Sequence, residues 1–182
     1  MINQEISKII KLRQSVFPRH FNGRTIDNDI VLELLNNANT APSHRMTQPW
    51  SFKVFSGKSK EKLINSIRSG IDLPDIVFSK LNSNFKISSH IICICMSRNK
   101  IVPEWEEIAS TAMAVQNIWL SCADSKIGGY WSTPSFINQL QDVLKLNNHE
   151  RCLGFFYLGM YNDLPKRNLS RTNIEEKIDW FN

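Results

Sequence analysis

No run of 18 apolar residues occurs in this chain, so no membrane-spanning helix is expected. Its first residues, Met1-Ile-Asn-Gln-Glu, lack the apolar centre of a secretory signal. No block of five or six basic residues occurs, and the surplus of five positive charges is scattered. That favours small anionic ligands at most and argues against nucleic acid as a partner. Cysteine is limited to Cys93, Cys95, Cys122 and Cys152, without a CxxC pair and with no histidine at ligand spacing. These read as buried free thiols in a reducing, cytoplasmic compartment rather than as a disulfide or zinc framework. The four histidines are isolated, so no metal site is expected. The nucleophile elbow GxSxG, the zinc motif HExxH, the dinucleotide fingerprint GxGxxG and the Walker loop are all missing.

What is present is one globular domain, residues 1–182, or one subunit of an intimate oligomer. It is 42% hydrophobic and 21% charged, enough to build a sizeable core. Its least ordinary stretch is Ala41-Pro-Ser-His-Arg-Met-Thr-Gln-Pro-Trp50. The prolines at 42 and 49 cannot donate a backbone N–H, and each pushes its predecessor toward an extended conformation. A stiff connector carrying Ser43, His44, Arg45, Thr47 and Gln48 is the result, a dense set of polar groups for one loop.

The elements follow from periodicity. Ile6, Ile9, Ile10 and Leu12 mark a short amphipathic helix that ends at Arg13-Gln14-Ser15. Asp27 caps a second helix bearing Ile30, Val31, Leu34, Leu35 and Ala38. Trp50–Phe55 alternates as a half-buried strand, and Lys58–Ser69 is a polar-faced helix. A helix begun at Pro74 is expected next, with residues 70–88 a candidate mobile lid. His90–Met96 is a continuous apolar run, expected as a central strand covered on both faces. The longest helix, expected over 104–125, is apolar on most of its circumference and is read as buried. Gln116 and Asn117 are its polar exceptions. Ile127–Ser132 is expected as a second core strand, with Gly128-Gly129 signalling special backbone angles or close approach of a bulky neighbour. Pro134 is expected to start a helix with Phe136, Ile137, Leu140, Val143 and Leu144 as its face, and Cys152–Gly159 is the last clear strand. Strands are not regularly alternated with single helices, so the class is α+β, three α-β-α layers with a mainly antiparallel central sheet around the long buried helix.

Polar clusters stand at the element ends: Arg13-Gln14-Ser15, the 43–48 loop, Trp131-Ser132-Thr133 and Lys166-Arg167. Arginine forks suit a phosphate, and hydroxyls and amides suit a polyol and a heteroaromatic edge. Such a set fits a phosphorylated, planar cofactor better than a metal.

On these residues the chain resembles the nitroreductase family. Arg13-Gln14-Ser15-Val16 looks like that family's Arg-Arg-Ser motif. Ala41-Pro42-Ser43 followed by Gln48-Pro49-Trp50 resembles its APS-to-QPW loop. Ala114-Val-Gln-Asn117 and Ile127-Gly-Gly-Tyr-Trp131 are similar to its central helix and glycine-bearing strand. The Val102-Pro-Glu-Trp105 stretch and the Gly154–Gly159 strand narrow the likeness to the compact branch of small NAD(P)H nitroreductases. The resemblance implies an intertwined FMN homodimer with flavins at the subunit interface and residues 165–182 packing on the partner. It implies that Arg13 binds the phosphate or ribityl chain, with Gln14 and Ser15 beside it. Thr40 and His44 would line the ring, Gln48 would lie behind them, and Lys166 or Arg167 would assist the phosphate. Trp131, Ser132 and Thr133 would reach the flavin from the other subunit. NADH or NADPH would reduce the FMN, which would pass electrons to a nitro compound, quinone or similar small acceptor in a ping-pong cycle, with no side chain required as acid or base. Three departures stand out: Gln14 where a basic residue is common, Phe17 where many members carry another arginine, and Met46 where many carry an asparagine. They leave two alternatives open, a flavin-binding sensor or interaction dimer, and a relative that uses the flavin for dehalogenation or dehydrogenation.

Overall fold

A computed structural model describes residues 2–164 and 170–181. Six helices are described: α1 Gln4–Leu12, α2 Asn28–Ala38, α3 Gly57–Gly70, α4 Asp75–Ile87, α5 Glu104–Ser121 and α6 Leu140–Val143. Four strands, β1 Trp50–Ser56, β2 His90–Ser97, β3 Ile127–Ser132 and β4 Glu150–Met160, form one sheet in the order β1-β2-β4-β3. Every neighbouring pair is antiparallel.

Strand β2 organises the rest because both its faces are buried. Successive side chains of a strand point to opposite faces. Ile91, Cys93 and Cys95 therefore meet Phe155 and Tyr157 of β4 on one face, under Leu63, Ile64 and Ile67 of α3 and Phe85 of α4. Ile92 and Ile94 meet Phe156 and Leu158 on the other, under Val31 and Leu34 of α2 and Ala114, Val115 and Ile118 of α5. Helices on both faces of one antiparallel sheet give the three layers, and each fully buried aliphatic chain contributes about 1.5–3 kcal/mol.

Local chemistry fixes the helix starts. The Asn3 side chain accepts the backbone N–H groups of Glu5 and Ile6 at 3.0 and 3.3 Å. Ser56 and Ser59 form a reciprocal cap that starts α3 at Gly57. Asp27 occupies the position before α2, but its side chain makes no capping hydrogen bond. Helix α4 follows Pro74 and buries Leu81 and Phe85 in the core.

Three expectations change. Helix α5 stops at Ser121 rather than 125, and it buries one side: Glu107, Ser110, Thr111, Ala114, Val115 and Ile118. The stripe through Ala109, Met113 and Leu120 turns away from the sheet, and Met113 is 40% exposed. Strand β3 is an edge strand, with Tyr130, Trp131 and Ser132 half-buried, not a second core strand. The expected helix after Pro134 breaks into a 3-10 turn, Ile137–Gln139, and the single turn α6. Its i→i+3 bonds, Ile137 to Pro134 and Gln139 to Phe136, tighten the chain so that Phe136 and Leu140 both reach the core.

The glycine pair in β3 marks close approach, since neither residue has positive φ. A Cβ at Gly128 would stand 2.5 Å from Val16 Cβ, and one at Gly129 would stand 2.2 Å from Phe156 Cζ. The backbone N–H of Val16 donates to Gly129 O at 3.0 Å, which pins the segment after α1 against β3. Helix α1 itself buries no residue within the protomer, and Ile6 and Ile10 are 58% and 53% exposed. No helix among the described residues is long and apolar enough to cross a membrane.

Candidate active-site cleft

Helix α1 ends at Arg13, and the chain continues extended along β3. Alternate side chains of this segment go to opposite sides. Arg13 and Ser15 line a cleft of about 810 Å³ with Ile10, Lys11, Gln116, Trp119 and Arg171. Gln14 and Val16 line a separate cavity of about 340 Å³, walled by Trp119, Cys122 and residues 123–127. The structure thus joins Arg13 to Ser15 and parts both from Gln14.

The larger cleft is cationic. The Arg13 guanidinium lies 5.3 Å from the centre of the Trp119 ring. Burial, and then the charge of Arg171, lower its pKa from the usual arginine value. Among the described residues that line the cleft there is no carboxylate to offset Lys11, Arg13 and Arg171. Trp119 is held in place by its indole N–H, which donates to Gly129 O at 2.8 Å.

The flank of α5 that meets the end of α2 and the loop after it carries further polar groups. Asn117 donates to Asn37 O at 3.0 Å and to the Thr40 hydroxyl at 3.3 Å, and Thr40 donates to Asn37 O at 2.8 Å. Further toward the helix start, His44 Nδ1 contacts Glu106 Oε2. Trp119 and Glu106 are separated along α5 by roughly 20 Å at 1.5 Å of rise per residue. Thr40 and His44 therefore meet α5 along one flank, through Asn117 and Glu106, and neither lines the cationic cleft.

His44 sits on a constrained loop. Arg45, Met46 and Gln48 have φ of 52°, 56° and 45°, in the left-handed region that side-chain-bearing residues avoid. The Gln48 backbone N–H donates to Ser43 Oγ at 3.1 Å, so Gln48 braces the loop through its backbone. The Thr47 hydroxyl is buried and has no hydrogen-bond partner among the described residues. Backbone strain and unmet polar groups of this kind concentrate at functional sites.

Trp131, Ser132 and Thr133 stand apart from the cationic cleft, at the end of β3. The Trp131 indole N–H and the Thr133 hydroxyl both donate to Leu153 O, at 3.3 and 3.1 Å. Lys166 and Arg167 lie outside the described residues. Sequence reasoning missed Arg171, which no motif flags, and it did not single out Trp119, whose ring packs on the core and walls both cavities. Gln116 carried a signal as a polar residue on an apolar helix, and it does line the cleft. No group of three or more His, Cys, Asp or Glu among the described residues is arranged to hold a metal.

A three-layer α+β fold with a cationic cleft beside a buried helix defines the class, and comparison with known proteins gives the family. The model of the nitroreductase family matches residues 10–160, and the chain belongs to that family. It is therefore an oxidoreductase. The protein of Bacillus subtilis (strain 168) named "Putative NAD(P)H nitroreductase YfhC" is 26% identical over 180 residues, covering 93% of this chain and 91% of that one. The crystal structure of a nitroreductase-like family protein from Bacillus cereus superposes with a TM-score of 0.87 at 24% identity, covering 100% of this chain and 98% of the other. A point mutant of NfnB, an FMN- and NADPH-dependent nitroreductase from "sphigopyxis sp. strain HMH", superposes at 0.76 with 17% identity, covering 96% of this chain and 98% of that one.

Proposed function

We propose that this protein is an FMN-dependent NAD(P)H oxidoreductase that reduces nitro compounds, quinones or similar electron-poor small molecules by a ping-pong route, as a homodimer. The observation that carries the reading is the pair of arginines converging on a cleft with no carboxylate among the described residues that line it. A phosphate dianion relieves that convergence, because two guanidinium forks supply charge-assisted bonds to its oxygens. The donor set therefore fits the phosphate end of FMN, and the family relatives support the same cofactor.

Bound FMN supplies hydride acceptance from the nicotinamide and hydride donation to the second substrate. The chain's own work is placement. Arg13, Arg171 and Ser15 hold the phosphate and ribityl end. Trp119 gives that end a rigid floor. Thr40 and His44, further along α5, border the ring. Trp131, Ser132 and Thr133 lie away from the cleft of their own protomer and serve the partner's flavin. The exposed apolar face of α1 supports a second copy as the covering surface, as do Met113 and the tail residues Ile174, Trp180 and Phe181. Buried thiols fit a reducing, cytoplasmic setting.

The purified protein should be yellow, and its visible flavin band should bleach with NADH or NADPH and return on addition of a quinone. Arg13→Ala should weaken FMN binding by about 1.5–3 kcal/mol, the scale of a hydrogen bond to a charged group. Colourless protein that ignores added FMN would remove the reading.

A further inference from the structure

An arginine that is to meet a phosphate has two needs that conflict. Its long side chain must be held, because its rotamer freedom is otherwise lost at the moment of binding. Yet a carboxylate that holds it also takes its N–H donors and cancels its charge. An aromatic face attracts the cation and leaves the donors free. We infer that Trp119 sets this protein's preference for phosphorylated over unphosphorylated flavin, by holding the Arg13 guanidinium without neutralising it; this rests on the flavin-reductase reading above.

One backbone atom ties the two residues together. Gly129 O accepts the Trp119 indole N–H at 2.8 Å and the Val16 backbone N–H at 3.0 Å. The first bond sets the ring. The second sets the extended segment from which Arg13 and Ser15 reach the cleft. The indole also packs edge-on against fully buried Phe156, with ring centres 5.3 Å apart at 73°. Arg13 Cζ lies over this fixed ring, 5.3 Å from its centre, within the roughly 6 Å at which a ring face attracts a cation.

Two other arginines lie over rings and supply the contrast. Arg68, 4.7 Å from the centre of Phe78, gives its donors to Asp75 at 2.7 Å and to Leu73 O at 3.1 Å. Arg19, 5.1 Å from the centre of Phe17, turns its Nε–H to His20. The Arg13 guanidinium makes no hydrogen bond or ion pair with any described residue, although it lines a cleft with Lys11 and Arg171. The indole face is thus what holds it, and its donors remain for an anion. Trp119 is a positioning residue that acts through Arg13. Riboflavin differs from FMN by the phosphate alone, so the ratio of the two affinities reads what the held arginine contributes.

The test titrates FMN and riboflavin into the full-length protein, freed of flavin by dialysis, and follows flavin fluorescence. Trp119→Leu should weaken FMN by roughly three- to thirty-fold, the span of a cation–ring contact, and leave riboflavin within about two-fold. In an Arg13→Ala background the same change should no longer move the ratio. Trp119→Phe keeps a ring and loses the indole N–H, and it should retain more of the preference than Trp119→Leu. Fluorinated tryptophan, incorporated throughout, drains the negative ring face at nearly constant shape. FMN affinity should fall with each added fluorine while riboflavin affinity holds, and this arm stands even where a Trp119 variant does not fold. Parallel losses for both flavins, a ratio that moves as far without Arg13, or an FMN affinity indifferent to fluorination would reduce Trp119 to packing and overturn the inference. Wild-type protein that binds neither flavin would instead fail the functional reading before any variant is made.

Discussion

His90 shows how one buried side chain ties stability to pH. Ile26 N–H donates to Ser89 Oγ at 2.7 Å, Ser89 Oγ–H donates to His90 Nδ1 at 2.9 Å, and His90 Nε2–H donates to Asn28 Oδ1 at 3.0 Å. The chain is complete only with a neutral ring. Burial, then the charge of Lys60, holds His90 below its usual 6.5. The unfolded chain therefore takes up the proton first as pH falls. The stability from the neutral ring is fully present above about 6.5 and is lost as pH drops through the lowered folded value. Urea midpoints should hold steady above pH 6.5 and decline as pH falls below it, and His90→Gln should flatten that decline. A second residue-scale test concerns Gly154. A Cβ there would stand 2.2 Å from Trp131 Nε1 and 2.7 Å from Ser132 O, at φ +155°. Gly154→Ala should cost about 1–3 kcal/mol through forced displacement of that edge, measured by denaturant melts.

Among the elements, those with one uniform environment could be read from sequence. Strands β2 and β4 are apolar runs because both faces are covered, and α3 shows the spacing of a polar-faced helix. The segment after Pro134 misled because its apolar spacing serves a 3-10 turn as well as a helix, and only tertiary packing selects the tighter form. Helix α5 misled differently: its apolar residues encircle it, yet one protomer covers a single side. Its interior holds a carboxylate. Glu107 is fully buried, Oε1 accepts the Asn99 N–H at 2.7 Å, and Oε2 has no partner among the described residues. That bond ties the 98–103 connection to the helix. Glu107→Gln, which keeps the acceptor, should change stability by about 1 kcal/mol or less. Glu107→Ala leaves the Asn99 N–H unmet beside a cavity and should cost about 2–4 kcal/mol in thermal or urea melts.

At the scale of the molecule, the uncovered apolar surface is the chief fact. An isolated helix as short as α1 is marginal in water, and this one contributes no buried residue to its own protomer. In the dimer reading a second copy covers it. Ile6→Glu with Ile10→Glu should then halve the mass seen by sedimentation and abolish FMN retention, whereas a wild-type chain that sediments as a monomer would contradict the reading. Of the residues singled out from short motifs, Arg13 and Ser15 share a cleft, and Thr40 and His44 meet α5 through Asn117 and Glu106. Arg171 was not legible, because only folding brings the tail to α1, and Gln14 lines a different cavity from Arg13 because adjacent residues of an extended segment face opposite ways. The four cysteines report on the whole molecule in another way. All are buried, and burial pushes Cys93 upward and Cys122 to about 12. A maleimide dye therefore finds nothing to label in the folded chain, and its rate of attachment is a built-in clock for how often the molecule opens.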